Sequence, residues 1–182
     1  MSHTFSLEQI AEIVAKGGVI AYPTEAVWGL GCDPKNTHAI ERILALKDRP
    51  WQKGLVLVAA DFSQLEPWLE PLSQEDLAKV QATWPGHVSW VLPCKPWVPA
   101  CLKGEHSSLA VRVSAHPLVR ALCAQTGPLV STSANPATLE PARSQQEVEQ
   151  YFKTGLDGIL AGELGGKAQP SVIRTLDGQQ LR

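Results

Sequence analysis

Several signatures of familiar chemistry are missing from this 182-residue chain. No G-x-x-x-x-G-K-[ST] occurs, so there is no Walker-type phosphate loop, and "GLG" at 29–31 lacks the third glycine of a dinucleotide fingerprint. G-x-S-x-G and H-E-x-x-H are absent as well, which removes a hydrolase elbow and a helical zinc site. The four cysteines, Cys32, Cys94, Cys101 and Cys123, form no C-x-x-C pair and have no histidine at ligand spacing. They read as reduced thiols of a cytoplasmic protein. No segment approaches the apolar run that crosses a bilayer, and "MSHTFSLEQIAEIVAKGG" lacks the charged head and apolar core of a secretory signal. Excess charge of one sign is missing too. The net charge of −2 excludes a wholesale nucleic-acid coat and leaves room only for a local basic patch.

What is present is an ordinary globule, 44% hydrophobic, whose length suits one domain over residues 1–182. Leu7, Ile10 and Val14 space as a helix face that Gly17-Gly18 would stop, and strand Val19–Tyr22 follows, ended by Pro23. A second helix is expected from Thr37 to Lys47, closed by Pro50. "LVLVA" (Leu55–Ala59) reads as a central strand and Ser73 to Asp76 as a helix cap. "PGHVSWVLP" is a turn and strand, and "LAVRV" (Leu109–Val113) is a strand with one charge inside it. Pro117 opens a helix that ends at Gly127, with His116 in its N-cap region. "PLVSTSAN" is a short strand ending in small polar residues, Ser144 and Glu147 make another cap, and "DGILAG" and "SVIRTLDGQQLR" finish the sheet. The alternation predicts an α/β fold with a twisted, open, mixed and largely parallel sheet flanked by helices.

The residues able to carry chemistry gather at strand ends. They are Thr24 and Glu25, Arg112, and the group Ser131, Thr132, Ser133 and Asn135. Ligands of open α/β sheets bind outside the carboxyl ends of strands, so two polar tips define a pocket. Between them "LKDRPWQKG" places Lys47, Arg49 and Lys53 close together, suited to phosphate or carboxylate. Each feature has a plainer reading. Lys47 and Arg49 can complement a helix dipole, the "STSAN" hydroxyls can satisfy local backbone groups, and Glu25 can be a solvated turn residue. The six tryptophans follow no shared period and read as core or cover. Arg112 is harder to explain away, since an arginine inside an apolar strand needs an anion.

"YPTEAVWGLGCDP", "LKDRP", "LAVRVSAHP", "STSAN" and "PSVI" occur in the order found in the YrdC-like family, the threonylcarbamoyl-AMP synthases, and the resemblance covers essentially the whole chain. Lys47-Asp48-Arg49 and Ser133-Ala134-Asn135 match its K-x-R and S-x-N signature. The resemblance implies an enzyme condensing L-threonine, bicarbonate and ATP into threonylcarbamoyl-adenylate and pyrophosphate. A transferase complex then modifies the adenosine beside the anticodon of certain tRNAs. It also implies a concave basic face open to tRNA or RNA contact, no membrane association, and magnesium brought by ATP and held by phosphate oxygens and water. By the same resemblance Lys47 and Arg49 are catalytic, and Thr24, Arg112, Ser131 and Ser171 contact threonine. Lys53, Ser108, Ser133 and Asn135 join Lys47 and Arg49 at the nucleotide and its phosphates, with Arg143 and Arg182 as outer basic positions.

Arg112 is expected to meet the threonine carboxylate. A pairing of Arg112 with a protein carboxylate such as Glu25 would make that assignment wrong. Ala26 and Trp28 stand where many relatives carry a second threonine and a tyrosine, and "SANPATLEPAR" lacks the Ser-Gly that often follows S-A-N. The linker and second domain of longer relatives are not expected here. Two other functions fit the same residues: an RNA-binding module without adenylate chemistry, and an adenylate-forming enzyme for another amino acid.

Overall fold

The computed structural model describes residues 4–182. In chain order the elements are β1 (Thr4–Phe5), α1 (Leu7–Ala15), β2 (Ile20–Pro23), β3 (Trp28–Gly31), α2 (Thr37–Lys47), β4 (Val56–Ala59), α3 (Gln74–Gln81), β5 (Val88–Pro93), α4 (Ala100–Lys103), β6 (Ser108–Val113), α5 (Pro117–Thr126), β7 (Leu129–Ser133), α6 (Gln145–Tyr151), β8 (Gly158–Leu160) and β9 (Val172–Thr175). Local rules account for the helices. Ser6 and Gln9 close a capping box on α1, Asn36 caps α2, Ser73 caps α3 and Ser144 caps α6. His116 caps α5 by accepting from the Leu118 N–H, and Pro117 takes the first turn. No helix among the described residues is long and apolar enough to cross a membrane.

The strands form one sheet in the order β1-β8-β2-β3-β7-β4-β6-β5-β9. The open α/β sheet agrees with the sequence, while its pairings are divided evenly between orientations. The pairs β1/β8, β2/β8, β4/β6 and β5/β9 are parallel, and β2/β3, β3/β7, β4/β7 and β5/β6 are antiparallel. Strand β3 was not expected. Pro23 does not end the ladder but pairs with Trp28, closing a tight hairpin whose tip is Thr24–Val27. The terminal segment does turn back over Asp177-Gly178, with the Thr175 N–H bonded to the Gln179 carbonyl at 2.9 Å.

Side-chain alternation decides which face is core and which is site. Leu109, Val111 and Val113 of β6 and Leu57 and Ala59 of β4 enter a core with α2, α3, Trp68 and Trp90. On the opposite face, Val58 and Leu129 pack under α1 and α5. The neighbouring positions on that face, Val56, Ser108, Ala110, Arg112 and Ser131, line a cavity instead. A third cluster packs α6 against β2, β3 and β8 through Trp28, Val148, Phe152 and Ile159.

Candidate active site

The cavity has a volume of about 530 Å³, ample for a nucleotide or an amino-acid adduct. It is lined by Thr24, Arg49, Lys53, Ser108, Arg112, Ser131, Ser133, Ser171 and Arg182 of the expected set. Among the described residues no Asp or Glu lines it. Its charged side chains are therefore cationic, set with hydroxyls among apolar residues such as Val27, Trp28, Leu55 and Ile173, which suits a ligand with anionic groups.

The two signature tripeptides meet each other. The Lys47 ammonium donates to the carbonyls of Ser133 and Asn135, the latter at 3.0 Å, and approaches Asn135 Oδ1 at 3.3 Å. Ser133 Oγ donates to the same Oδ1 at 2.6 Å, and the Ala137 N–H returns a bond to the Lys47 carbonyl at 2.8 Å. Lys47 was expected near the surface, against phosphate. It is 4% exposed and stands behind the cavity wall as the clamp of the S-x-N loop. Burial, and then the charge of Arg49, lower its pKa to about 8. Asn135 stands behind the wall too, donating to the Leu139 carbonyl at 2.7 Å. The two halves of K-x-R diverge because Asp48 sits in left-handed backbone, φ 49°, at the end of α2. That turn sends Lys47 inward and leaves Arg49 on the cavity, where Nη2 donates to the Gly54 carbonyl at 3.0 Å. Arg49 Nε is buried without a partner.

Elsewhere at the site the β2–β3 tip carries Thr24 and Glu25. Thr24 Oγ1 donates to the Val27 carbonyl at 2.6 Å, which leaves its hydroxyl only acceptor capacity. Glu25 is no solvated turn residue: it is 4% exposed. Its Oε2 accepts from Arg112 Nη1, and its Oε1 accepts from Ser114 Oγ at 3.0 Å. Burial alone would raise the carboxyl. His87, Arg112 and Ser114 outweigh it and hold the pKa at about 2. The expectation that Arg112 finds its anion in the substrate is thereby corrected, because Glu25 supplies it. What keeps Arg112 in the site is that it lines the cavity with Thr24, while Glu25 and the Gly86 carbonyl occupy Nη1 only.

The remaining expected residues divide. Ser171 lines the cavity, and its Oγ bonds Ser89 Oγ and Arg182 Nη2, each at 3.0 Å. Arg182 Nε also donates to the Ser171 carbonyl at 3.0 Å; burial lowers the guanidinium's pKa, with Arg112 and Arg49 adding to the effect. Arg143 is off the cavity, donating to the carbonyls of Ala26 at 3.4 Å and Ala168 at 3.3 Å, so it staples the tip to the segment before β9. His87, Lys103, His106 and Thr132 line the cavity without having been singled out for it. Lys103, His106 and Ser108 lie at the amino end of β6 and just before it. The rule that ligands collect at carboxyl ends points away from that place. Thr132 was legible as part of the "STSAN" tip. Nothing in the sequence around His87 marks it. Its Nε2 donates to the Gln169 carbonyl at 2.6 Å, and Nδ1 lies 3.7 Å from Glu25 Oε2.

A family model described as Sua5/YciO/YrdC, telomere recombination, matches residues 12–182. A threonylcarbamoyl-AMP synthase of Pseudomonas aeruginosa is 53% identical over 183 residues, covering 100% of this chain and 99% of that protein. One from Halorhodospira halophila is 52% identical over 171 residues, 93% of this chain and 90% of its own. The structure of P. abyssi Sua5 complexed with L-threonine superposes with a TM-score of 0.90 at 28% identity. That match covers 97% of this chain and 53% of Sua5, so this chain spans about half the larger protein. E. coli YciO superposes at 0.84, also with 28% identity, over 96% of this chain and 90% of its own. With the family model matched over residues 12–182 and a relative 53% identical over the full length, this chain belongs to the Sua5/YciO/YrdC family.

Proposed function

We propose that this protein is an L-threonylcarbamoyladenylate synthase acting in tRNA modification. The observation that carries the reading is the cavity, whose charged side chains are cations set among hydroxyls with no Asp or Glu among the described lining residues, in a chain about half identical to proteins named for that activity. The threonine amine, in its neutral form, combines with bicarbonate to give a carbamate and water. A carbamate oxygen then attacks the α-phosphorus of ATP, the bond to the β-phosphate breaks, and pyrophosphate leaves. The protein's task is to hold two anions in line and spread phosphate charge, which is a matter of positioning and fixed electrostatics.

Arg49 and Lys53 supply that charge directly, and Ser108 and Ser133 bond the nucleotide. Lys47 and Asn135 act through Ser133 by fixing its loop. Thr24 accepts from the threonine amine. Ser131 and Ser171 flank the substrate, and Arg112, its guanidinium neutralised by Glu25, forms the wall beside Thr24. Arg182 closes the phosphate side, and Arg143 holds the tip from outside. Among the described residues no group of His, Cys, Asp and Glu could hold a metal ion. The cavity therefore does not fit a protein-bound magnesium, and a magnesium arriving with ATP would be held by phosphate oxygens and water. The product is passed to a transferase complex that modifies tRNA, which places the protein in the cytoplasm with its ATP, threonine and tRNA. Contact with tRNA at the basic face belongs to the same reading.

The test is pyrophosphate release from ATP with threonine, serine or no amino acid, each with and without bicarbonate. Release is expected only with threonine and bicarbonate together. Equal release after bicarbonate is scrubbed away refutes the carbamate route. Release with serine as fast as with threonine refutes the substrate.

A further inference from the structure

Two loops distant in sequence are locked together at one edge of the cavity. The Leu55 N–H donates to the Leu102 carbonyl at 2.8 Å, and the Glu105 N–H donates to the Gln52 carbonyl at 3.2 Å. Gly54 and Gly104 both have left-handed φ, +70° and +74°, and each is pressed on the other loop. A Cβ on Gly54 would lie 2.9 Å from the Lys103 carbonyl oxygen, and one on Gly104 would lie 2.7 Å from the Gly54 nitrogen. Only glycine fits either place. The lock brings the turn that holds Lys103 and His106 beside the loop that holds Arg49 and Lys53, and all four residues line the cavity.

This assembly concentrates like charge without protein compensation. Some cations elsewhere find carboxylates: Arg42 with Asp157 at 2.9 Å, Lys79 with Asp76 at 3.7 Å, Lys95 with Glu70 at 3.4 Å, Arg112 with Glu25. Among the described residues none of Arg49, Lys53 and Lys103 is ion-paired, although Glu105 is next but one to Lys103 in sequence. Arg49 Nε is in addition a buried donor with nothing to bond. Complementing the dipole of α4 does not account for Lys103, since α4 is 4 residues long and its field is correspondingly weak. Like charges gathered at a cavity edge with an orphaned donor call for a polyanion.

We propose that Lys103 and His106, with Arg49 and Lys53, bind the β- and γ-phosphates of ATP and so hold the departing pyrophosphate. This rests on the reading of the cavity as ATP-consuming. Along β6 the Ser108 end lies about 13 Å from Arg112, at a strand rise of about 3.3 Å per residue. The two ends are thus far enough apart for the leaving group to be held clear of the amino acid. Lys103 and His106 bear the charge that develops as the bond from the α-phosphorus to the bridging oxygen breaks, and they add nothing to the affinity for the adenylate that remains.

The experiment is calorimetric titration of the intact protein with pyrophosphate, ATP, AMP and a short double-stranded RNA, for wild type, Lys103→Ala, Lys103→Arg and His106→Ala. Melting curves check that each variant is folded. Lys103→Ala is expected to weaken pyrophosphate and ATP by the same factor, about tenfold for a lost charge-assisted bond, with AMP unchanged. His106→Ala should move in the same direction by less, and Lys103→Arg should stay close to wild type. An equal loss of AMP affinity overturns the assignment, because the residues would then face the adenylate. So does wild-type failure to bind pyrophosphate, or a loss confined to RNA. A wild type that binds ATP and pyrophosphate in this pattern yet turns over no threonine refutes the proposed activity and leaves this assignment standing.

Discussion

Replacing Glu25 by Gln tests the central electrostatic feature of the site. The substitution keeps size and a hydrogen-bonding head but leaves the guanidinium of Arg112, itself 5% exposed, without its anion. Removing one partner of a buried ion pair costs about 3–5 kcal/mol. The carboxyl provides a second route to the number. Its pKa falls from 4.5 to about 2 on folding, which corresponds to about 3 kcal/mol of linked stability. A depressed carboxyl pKa contributes stability that is complete above 4.5 and is lost as the pH falls towards about 2. In urea titrations at pH 7, Glu25→Gln should therefore be about 3 kcal/mol less stable than wild type, and that gap should close below about pH 4. In melting temperature the gap at neutral pH is about 6–12 °C. The double variant Glu25→Gln/Arg112→Met, which removes both charges, should recover most of the loss. A single variant within about 0.5 kcal/mol of wild type at pH 7 refutes the reasoning, as does a gap that does not change with pH.

Lys47→Met removes the donor shared by the Ser133 and Asn135 carbonyls; it should cost about 2–3 kcal/mol of stability and at least about tenfold in turnover, whereas activity near wild type would leave Lys47 only a dipole role. The Lys47 amine should titrate at about 8 when followed by NMR. Because that value is depressed, this group's contribution to stability rises as the pH goes from about 8 towards 10.5. Asp48→Val should destabilise by about 1–2 kcal/mol, since a β-branched residue resists left-handed backbone, while Asp48→Gly should be neutral or better; equal stability of the two removes the turn from the account.

Much of this molecule could be read from neighbouring residues alone. Caps at Asn36, Ser73 and Ser144, the proline at 117 and the alternation of "LAVRV" act within a few positions, so helix ends and strand faces follow from short-range sterics and hydrogen bonds. The signature tripeptides were legible in the same way, as residue types suited to phosphate. Strand β3 was not, because Pro23, Gly29 and Gly31 argue locally against a ladder; it exists because Tyr22 and β7 lie close over glycines that leave them room. Nor could local rules tell that Lys47 turns inward to Ser133 while Arg49 stays on the cavity, or that the partner of Arg112 lies 87 residues away in Glu25. Those choices depend on which strands become neighbours. A buried charge takes the nearest anion that the sheet brings to it, and sequence spacing carries no record of that distance.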